Sequence, residues 1–438
     1  MDPRLSLSRF VGGVALLPSM FCAAAAQEIP TPLPLSLSVP DASVFLAQQA
    51  DLPRTPFSID RQDYSGVALG EWRLYPFLYT GLSYDSNLLN ANSGKVADAA
   101  FNFAPTFIAT RNAGIQNTLV YGAAETSSYL RNSGADSVTG RIGFQHMWEL
   151  QRDLVFDFAG DVSRSADLTN GGDAVAGAPF YPIYSNAYRI SAAALKSFGS
   201  LFLHSFVALS DTQYDSTARI TGASLPQSYR DYSEIQVKQR VGYQFGQVFY
   251  VFSDTSLNWQ DTYYFPASAS SGYREVAGLG ATRFGLLYGE IYAGYQAQVY
   301  RSALIGTVND PVLGGRVGWS PRAFLSFVAS LDETITTQDF VTPGNPLPAA
   351  VTALVATFGA NYAPSSRWSL LVTANYMHDD YSNSPRSDGD FALAATFSCK
   401  LSRTLVASIS TRQIIQDSSY RPASYSRNVS AIGVTYRY

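Results

Sequence analysis

A histidine paired with a serine could give this chain hydrolytic chemistry, because such a pair acts as base and nucleophile. The sequence contains three histidines, His146, His204 and His378. His204 is followed by Ser205, but adjacent residues of a strand point to opposite faces, so these two cannot form the pair. A pair drawn from two different strands stays open, while an isolated histidine is more often a polar wall residue. We therefore expect a protein that is not an enzyme.

Acidic residues near His378 form a second group, comprising Asp379, Asp380, Asp388 and Asp390. Oxygen-rich clusters can bind Ca²⁺, but this spacing matches no calcium-binding loop, and we interpret the group as a solvated surface loop. Cys399 is the only cysteine beyond the predicted signal peptide, which excludes a disulfide and a thiolate metal site. We expect no metal and no cofactor.

Ten other charged residues are candidates for the lining of a water-filled channel. They occupy the polar phase of segments that alternate between polar and apolar residues, and they are Asp157, Asp161, Arg189, Glu234, Lys238, Arg240, Glu290, Asp332, Arg412 and Arg437. Charged side chains in a channel tune which solutes pass. Both signs occur, so strong selectivity is not expected. The alternative is that these groups pair across the wall and fill the interior.

The elements that would position these residues are β-strands, and residues 232–245 show the pattern best. One face reads Ile235, Val237, Val241, Tyr243 and Phe245, with Gln239 as an exception, and the other reads Glu234, Gln236, Lys238, Arg240 and Gln244. Such alternation is typical of a strand with one apolar and one polar face. Residues 290–299, 368–376 and 404–412 show the same alternation of apolar and polar residues. Residues 272–286 alternate poorly, and their faces cannot be assigned.

Short and long connections between these segments alternate along the chain. Short turns are expected at 111–114, 151–153, 198–200, 246–247, 288–289, 320–321, 364–366 and 402–403. Longer polar loops are expected near 85–98, 131–137, 166–183, 214–230, 261–271, 301–309, 339–349, 380–387 and 417–425. Tight periplasmic turns and longer external loops are typical of outer-membrane barrels. The pattern predicts an all-β, antiparallel, up-and-down transmembrane barrel of about 18 strands with both ends periplasmic.

The N-terminus predicts export. Arg4 and Arg9, a short apolar stretch and the alanines before Gln27 form a signal peptide over residues 1–26. Residues 27–71 are rich in proline and are expected to form an irregular periplasmic arm, with a short helix around 42–49. The barrel is expected over residues 72–438.

Composition and the C-terminus agree with this interpretation. Aromatic residues make up 13% of the chain and charged residues only 15%, against about 25% charged residues in soluble domains. Soluble β-sandwiches, propellers and solenoids are disfavoured because the segments alternate for longer than the usual strand of about 5–6 residues. The last segment alternates and ends in Tyr436 and Tyr438, which resembles the signal that outer-membrane insertion machinery reads. The net charge of −4 argues against a nucleic-acid partner.

The junction before the barrel carries a family resemblance. It reads Gly70-Glu71-Trp72-Arg73-Leu74-Tyr75-Pro76 and then Tyr84-Asp85-Ser86-Asn87. This resembles the β-barrel porin 2 family found beside exopolysaccharide gene clusters in Gram-negative bacteria, which tends to open its barrel with Gly-(aromatic)-x-Leu-x-Pro and then Tyr-Asp-x-Asn. The resemblance implies outer-membrane placement and a part in polysaccharide export, without catalytic residues.

Three functions follow as hypotheses. The leading one is a passive conduit or accessory in exopolysaccharide export, with outer-membrane lipid, the barrel assembly machinery, export-complex proteins and the polysaccharide or another hydrophilic solute as partners. The second is a general diffusion porin for small hydrophilic solutes, and the third is a barrel enzyme that acts on lipid. Uptake dependent on TonB would need a plug domain, for which the arm is too short.

Overall fold

The structure is a computed structural model, and it describes residues 66–167, 181–218, 224–264, 266–338, 349–382 and 384–438. The predicted signal peptide 1–26 and the helix expected around 42–49 lie outside these ranges, as does most of the predicted arm 27–71. Within the described ranges, no helix has both the length and the apolar character needed to cross a membrane.

Antiparallel strands dominate the described chain. They are β1 (Trp72–Asp85), β2 (Asp98–Ala113), β3 (Gln116–Tyr129), β4 (Ser137–Gln151), β5 (Leu154–Asp167), β6 (Ile183–Phe198), β7 (Leu201–Tyr214), β8 (Tyr232–Phe245), β9 (Phe249–Thr262), β10 (Ser270–Phe284), β11 (Leu287–Tyr300), β12 (Thr307–Arg322), β13 (Leu325–Gln338), β14 (Ala349–Ser365), β15 (Trp368–Tyr381), β16 (Ser387–Lys400), β17 (Leu405–Ser418) and β18 (Tyr425–Arg437). Short 3₁₀ turns lie at Ser133–Ala135, Ser228–Arg230, Pro266–Ser268 and Arg421–Ala423, and a two-residue hairpin pairs Thr217–Ala218 with Ser224–Leu225.

The sheet closes on itself. Each strand pairs with the next along the chain, and β1 also pairs with β18, from Phe77 opposite Arg437 to Asp85 opposite Val429. This closure gives a barrel of 18 strands and confirms the predicted fold class and strand number. The start of β1 and the end of β18 lie at the end of the barrel that carries the short turns, which is the periplasmic end in barrels of this kind.

The alternation of short turns and long loops is confirmed, although two predicted turns are misplaced. The turn expected at 288–289 lies at 285–286, where Gly285 adopts a positive φ of 62° that favours glycine. The turn expected at 320–321 lies at 323–324, and β12 continues through Pro321 to Arg322. A proline is tolerated near a strand end because few ladder bonds are lost there.

The last residues of the predicted arm differ from the expected irregular structure. A short strand, Val67–Leu69, folds back on Trp72–Leu74 of β1. Gly70, with a φ of 63°, makes the tight reversal possible. This short strand lies at the periplasmic end, and among the described residues it pairs with no strand other than β1.

The two faces of the wall differ in chemistry. Large apolar side chains are exposed on the outward face, for example Ile235 and Tyr243 on β8, where lipid would surround them. On the inward face of the same strand, Arg240 is buried. Two outward polar residues, Gln239 and Glu275, accept hydrogen bonds from neighbours on the same face. Ser205 donates to Gln239 (2.6 Å), and Ser253 donates to Glu275.

Candidate functional site: the barrel interior

The ten predicted charged residues all occupy strand positions in phase with the buried, inward-facing residues. Five of them are half-buried, namely Asp161, Arg189, Glu234, Lys238 and Arg412, and five are buried, namely Asp157, Arg240, Glu290, Asp332 and Arg437. The structure therefore places them together on one face of the wall. Their role in solute passage stays a prediction.

A buried ion network connects three strands. Arg240 on β8 binds Asp254 on β9 (2.8 Å) and Glu290 on β11 (3.1 Å). Tyr250 on β9 also donates to Glu290 (3.0 Å). The Arg240 guanidinium lies 4.2 Å from the centre of the Phe252 ring, which adds a cation–π contact. Because a buried charge is costly without partners, this network ties β8 through β11 together at one height.

Two further clusters have the same character. On β4 and β5, Arg141 binds Asp161 (3.0 Å), and Gln145 donates to Asp157 (2.8 Å). On β13, Asp332 accepts hydrogen bonds from Arg274 and from the Tyr292 hydroxyl. Pairing within the wall, which was the alternative to a lining role, therefore describes Asp161, Arg240, Glu290 and Asp332. Arg189, Glu234, Lys238 and Arg412 are candidates for contact with solutes because their side chains are only half-buried.

Inward aromatic rings lie over glycines of neighbouring strands. A Cβ atom added at Gly242 would lie 2.0 Å from the Phe202 ring, and one added at Gly280 would lie 2.0 Å from the Tyr250 ring. The same arrangement joins Tyr79 to Gly433 and Tyr292 to Gly314. The glycines thus leave room for the rings to lie against the wall.

Tyr292 and Tyr232 are two inward tyrosines, and a tyrosine ring with an open face could stack on a sugar ring. Tyr292 is only 6% exposed and its hydroxyl is bonded to Asp332, so it does not present a free ring face. Tyr232 is half-buried at the external end of β8.

The acidic group near His378 is not in a loop, contrary to the sequence prediction. Asp379 and Asp380 end β15, while Asp388 and Asp390 begin β16. Asp388 is held by the Arg386 guanidinium (2.6 Å). The sequence pattern misleads here because acidic residues at the external ends of strands have the composition of a loop. No metal-binding cluster of these residue types occurs in the described ranges.

The three histidines lie in different surroundings. His204 faces the interior and is buried beside the Arg240 network. His146 Nδ1 lies 2.9 Å from Thr118 Oγ1 on the outward face, and His378 contacts Asp380 (3.4 Å) near the external end. Among the described residues, none of these contacts joins a histidine to both a serine and a carboxylate.

Sequence reasoning missed the contact that joins the first and last strands. Arg427 on β18 is 1% exposed, and its Nε donates to both carboxylate oxygens of Asp85 on β1 (3.0 and 2.9 Å). The Asn87 side chain donates to Ser426 O (3.1 Å) on β18, and the Asn87 backbone N–H donates to Asp85 (2.9 Å). The Tyr-Asp-x-Asn motif was the only available signal, and its Asp and Asn both turn out to join β1 to β18.

The predicted assembly residues lie at the end of β18. Tyr436 points outward and is 46% exposed, and the Tyr438 backbone N–H donates to Pro76 O (3.3 Å). Their part in assembly stays a prediction.

Comparison with known proteins gives one firm assignment. Residues 62–438 match the family described as "Putative beta-barrel porin 2", and the chain belongs to this family. The protein is accordingly an outer-membrane β-barrel of a Gram-negative bacterium. A search of curated proteins finds no match.

The solved structures that match are similar to this chain only distantly. The crystal structure of the siderophore receptor PirA from Acinetobacter baumannii is 6% identical, with 85% of this chain and 81% of that chain covered and a TM-score of 0.47. The outer membrane protein opdK from Pseudomonas aeruginosa is 12% identical, with 83% and 98% covered and a TM-score of 0.41. At these values neither structure informs the function.

Proposed function

We propose that this protein is a non-catalytic outer-membrane pore and that it serves as a passive conduit or accessory in exopolysaccharide export. The observation that carries the pore is the closed 18-strand wall with charged side chains of both signs on its inward face. A barrel of this size is wide enough for an aqueous channel. The export role is supported by the resemblance of residues 70–87 to a family found beside exopolysaccharide gene clusters.

Deletion of the gene tests the export role. We expect surface polysaccharide to fall several-fold, and expression of the intact chain from a plasmid to restore it. Unchanged polymer together with channel conductance in planar bilayers would favour a general diffusion porin for small hydrophilic solutes. If the protein showed no conductance and its deletion left the polymer unchanged, both the export role and the diffusion-porin role would be refuted.

Ion selectivity tests whether the half-buried inward charges contact solutes. Changing Lys238 to Glu moves the local charge by two units, so we expect the cation-to-anion permeability ratio to rise about two-fold or more in planar bilayers. Lys196→Glu is the matched control, because Lys196 points outward near the periplasmic end and binds Asp153 (2.6 Å). Equal ratios for the two variants would show that Lys238 does not face the conducting path.

A further inference from the structure

One junction of the barrel lacks strand pairing over half of its height. β12 and β13 pair over five consecutive positions, from Gly315 opposite Leu331 to Trp319 opposite Phe327, and again at the turn. Above Gly315 and Leu331, towards the external end, no pairing joins them. Each half-strand is still held on its other side, since β12 pairs with β11 up to Thr307 and β13 pairs with β14 up to Gln338.

Pro311 gives this gap a physical cause. If the register of Gly315 and Leu331 continued, Pro311 would lie opposite Ile335. Proline has no backbone N–H and cannot donate a ladder hydrogen bond, which normally confines it to the edges of sheets. The N–H and carbonyl groups of β13 in this region therefore need other partners.

Side chains of β11 supply these partners by reaching past β12. Gln296 accepts a hydrogen bond from the Ile335 backbone N–H (3.3 Å) and donates to the Glu333 carbonyl (3.4 Å). The Tyr300 hydroxyl donates to the Thr336 carbonyl (3.1 Å). The carboxamide of Gln296, which is 4% exposed, thus replaces backbone pairing from inside the barrel.

We call the unpaired upper half of the β12–β13 junction, residues 307–314 and 332–338, the seam. This arrangement makes the seam the easiest place for the wall to part. The upper half of β12 can move outward without breaking any β12–β13 ladder bond, while β13 stays held by β14 and by Gln296. Elsewhere, separating two strands breaks a ladder in hydrocarbon, where each unsatisfied backbone group costs several kcal/mol. The seam faces lipid outside, through Leu313 (62% exposed), and polar residues inside.

We propose that the upper half of the β12–β13 junction is a lateral portal, through which the acyl chain of an outer-membrane lipid or similar amphiphile reaches the barrel interior. This route goes beyond the axial conduit and does not depend on it. A molecule with an apolar chain and a polar head would place the chain in the seam and the head among the inward polar groups.

Photocrosslinking tests the portal. A benzophenone amino acid replaces Thr334, an inward position on β13 at the seam, in protein reconstituted into phosphatidylethanolamine–phosphatidylglycerol vesicles. The control replaces Thr373, an inward position on β15 where pairing with β14 and β16 is complete. We expect several-fold more lipid adduct at Thr334, and more again when Gln296→Leu removes the contact that holds β13.

Closing the seam provides the decisive comparison. In a Cys399→Ala background, Leu313→Cys and Glu333→Cys joined by a short thiol crosslinker should lower the Thr334 adduct to the Thr373 level. Phe358 and Ala374 face each other across β14 and β15. Crosslinking the matched pair Phe358→Cys and Ala374→Cys should leave the amount of lipid adduct at Thr334 unchanged. Heat-dependent gel mobility verifies that each variant is folded. Equal adduct at Thr334 and Thr373, or adduct that persists in the closed seam, overturns the portal, and neither result bears on axial conductance.

Discussion

Replacement of Arg427 by alanine is expected to lower the stability of the barrel by about 3–5 kcal/mol, because it leaves the Asp85 carboxylate buried without its partner. Asp85 and Arg427 are 3% and 1% exposed, and they join the two strands whose pairing closes the barrel. Denaturant-dependent unfolding in lipid vesicles, followed by tryptophan fluorescence, measures the change.

Arg164→Ala is the control for this prediction. Arg164 pairs with Asp215, and each side chain is 42% exposed, so this ion pair is worth only about 0–1 kcal/mol. The double change Asp85→Asn with Arg427→Gln removes both charges while retaining hydrogen-bonding groups, and should recover most of the lost stability. A loss for Arg427→Ala no greater than that for Arg164→Ala would refute the closing role of the pair.

The second large effect is expected from Gly280→Ala. The new Cβ would lie 2.0 Å from the Tyr250 ring, so the ring must move and its hydrogen bond to Glu290 (3.0 Å) must lengthen or break. Overpacking of this kind costs about 1–3 kcal/mol. The same unfolding measurement detects it.

Gly359→Ala separates the packing effect from the general effect of replacing a strand glycine. Gly359 is also an inward residue within a strand, but nothing lies within 4 Å of its added Cβ, so stability should stay constant or rise slightly. Combining Gly280→Ala with Tyr250→Leu should relieve the clash in part. If Gly280→Ala behaves like Gly359→Ala, the Tyr250 ring does not lie over Gly280 as the structure shows.

The sequence predicts the barrel well wherever polarity alternates strictly. β8 is the clearest case, because its polar and apolar residues alternate along its length except at Gln239, and the structure keeps Ile235 outside and Arg240 inside. The strand number was also predictable, since the chain alternates between short turns and long loops. These signals are local, and they reflect the two different solvents on either side of the wall.

β10 shows why the faces of some strands could not be assigned. Three of its inward positions, Gly272, Gly278 and Gly280, are glycines, which carry no polarity signal, and Glu275 points outward. Glu275 is accommodated there because hydroxyl groups of Ser253 and Thr255 on β9 donate to it. Polarity alone cannot predict such a position without knowledge of the neighbouring strand.

The interior contacts were harder still to predict, because they join residues that are distant in the chain. Asp85 and Arg427 are 342 positions apart, and nothing in either local segment identifies the other as its partner. The inward orientation of the ten charged residues could be read from alternation. Which of them neutralise one another depended on the register between strands, which sequence alone does not provide.

The rings that lie over glycines indicate how the width of the channel in this barrel is set. The number and the stagger of the strands set the diameter of the backbone cylinder, but the width of the open channel inside it depends on how far the side chains project. The rings of Phe202 and Tyr250 occupy little of the channel's width because Gly242 and Gly280 give them room along the wall. A single methyl group at such a glycine would turn a ring towards the axis. Relatives with the same number of strands can therefore differ in the width of solute they admit, through exchanges as small as glycine for alanine.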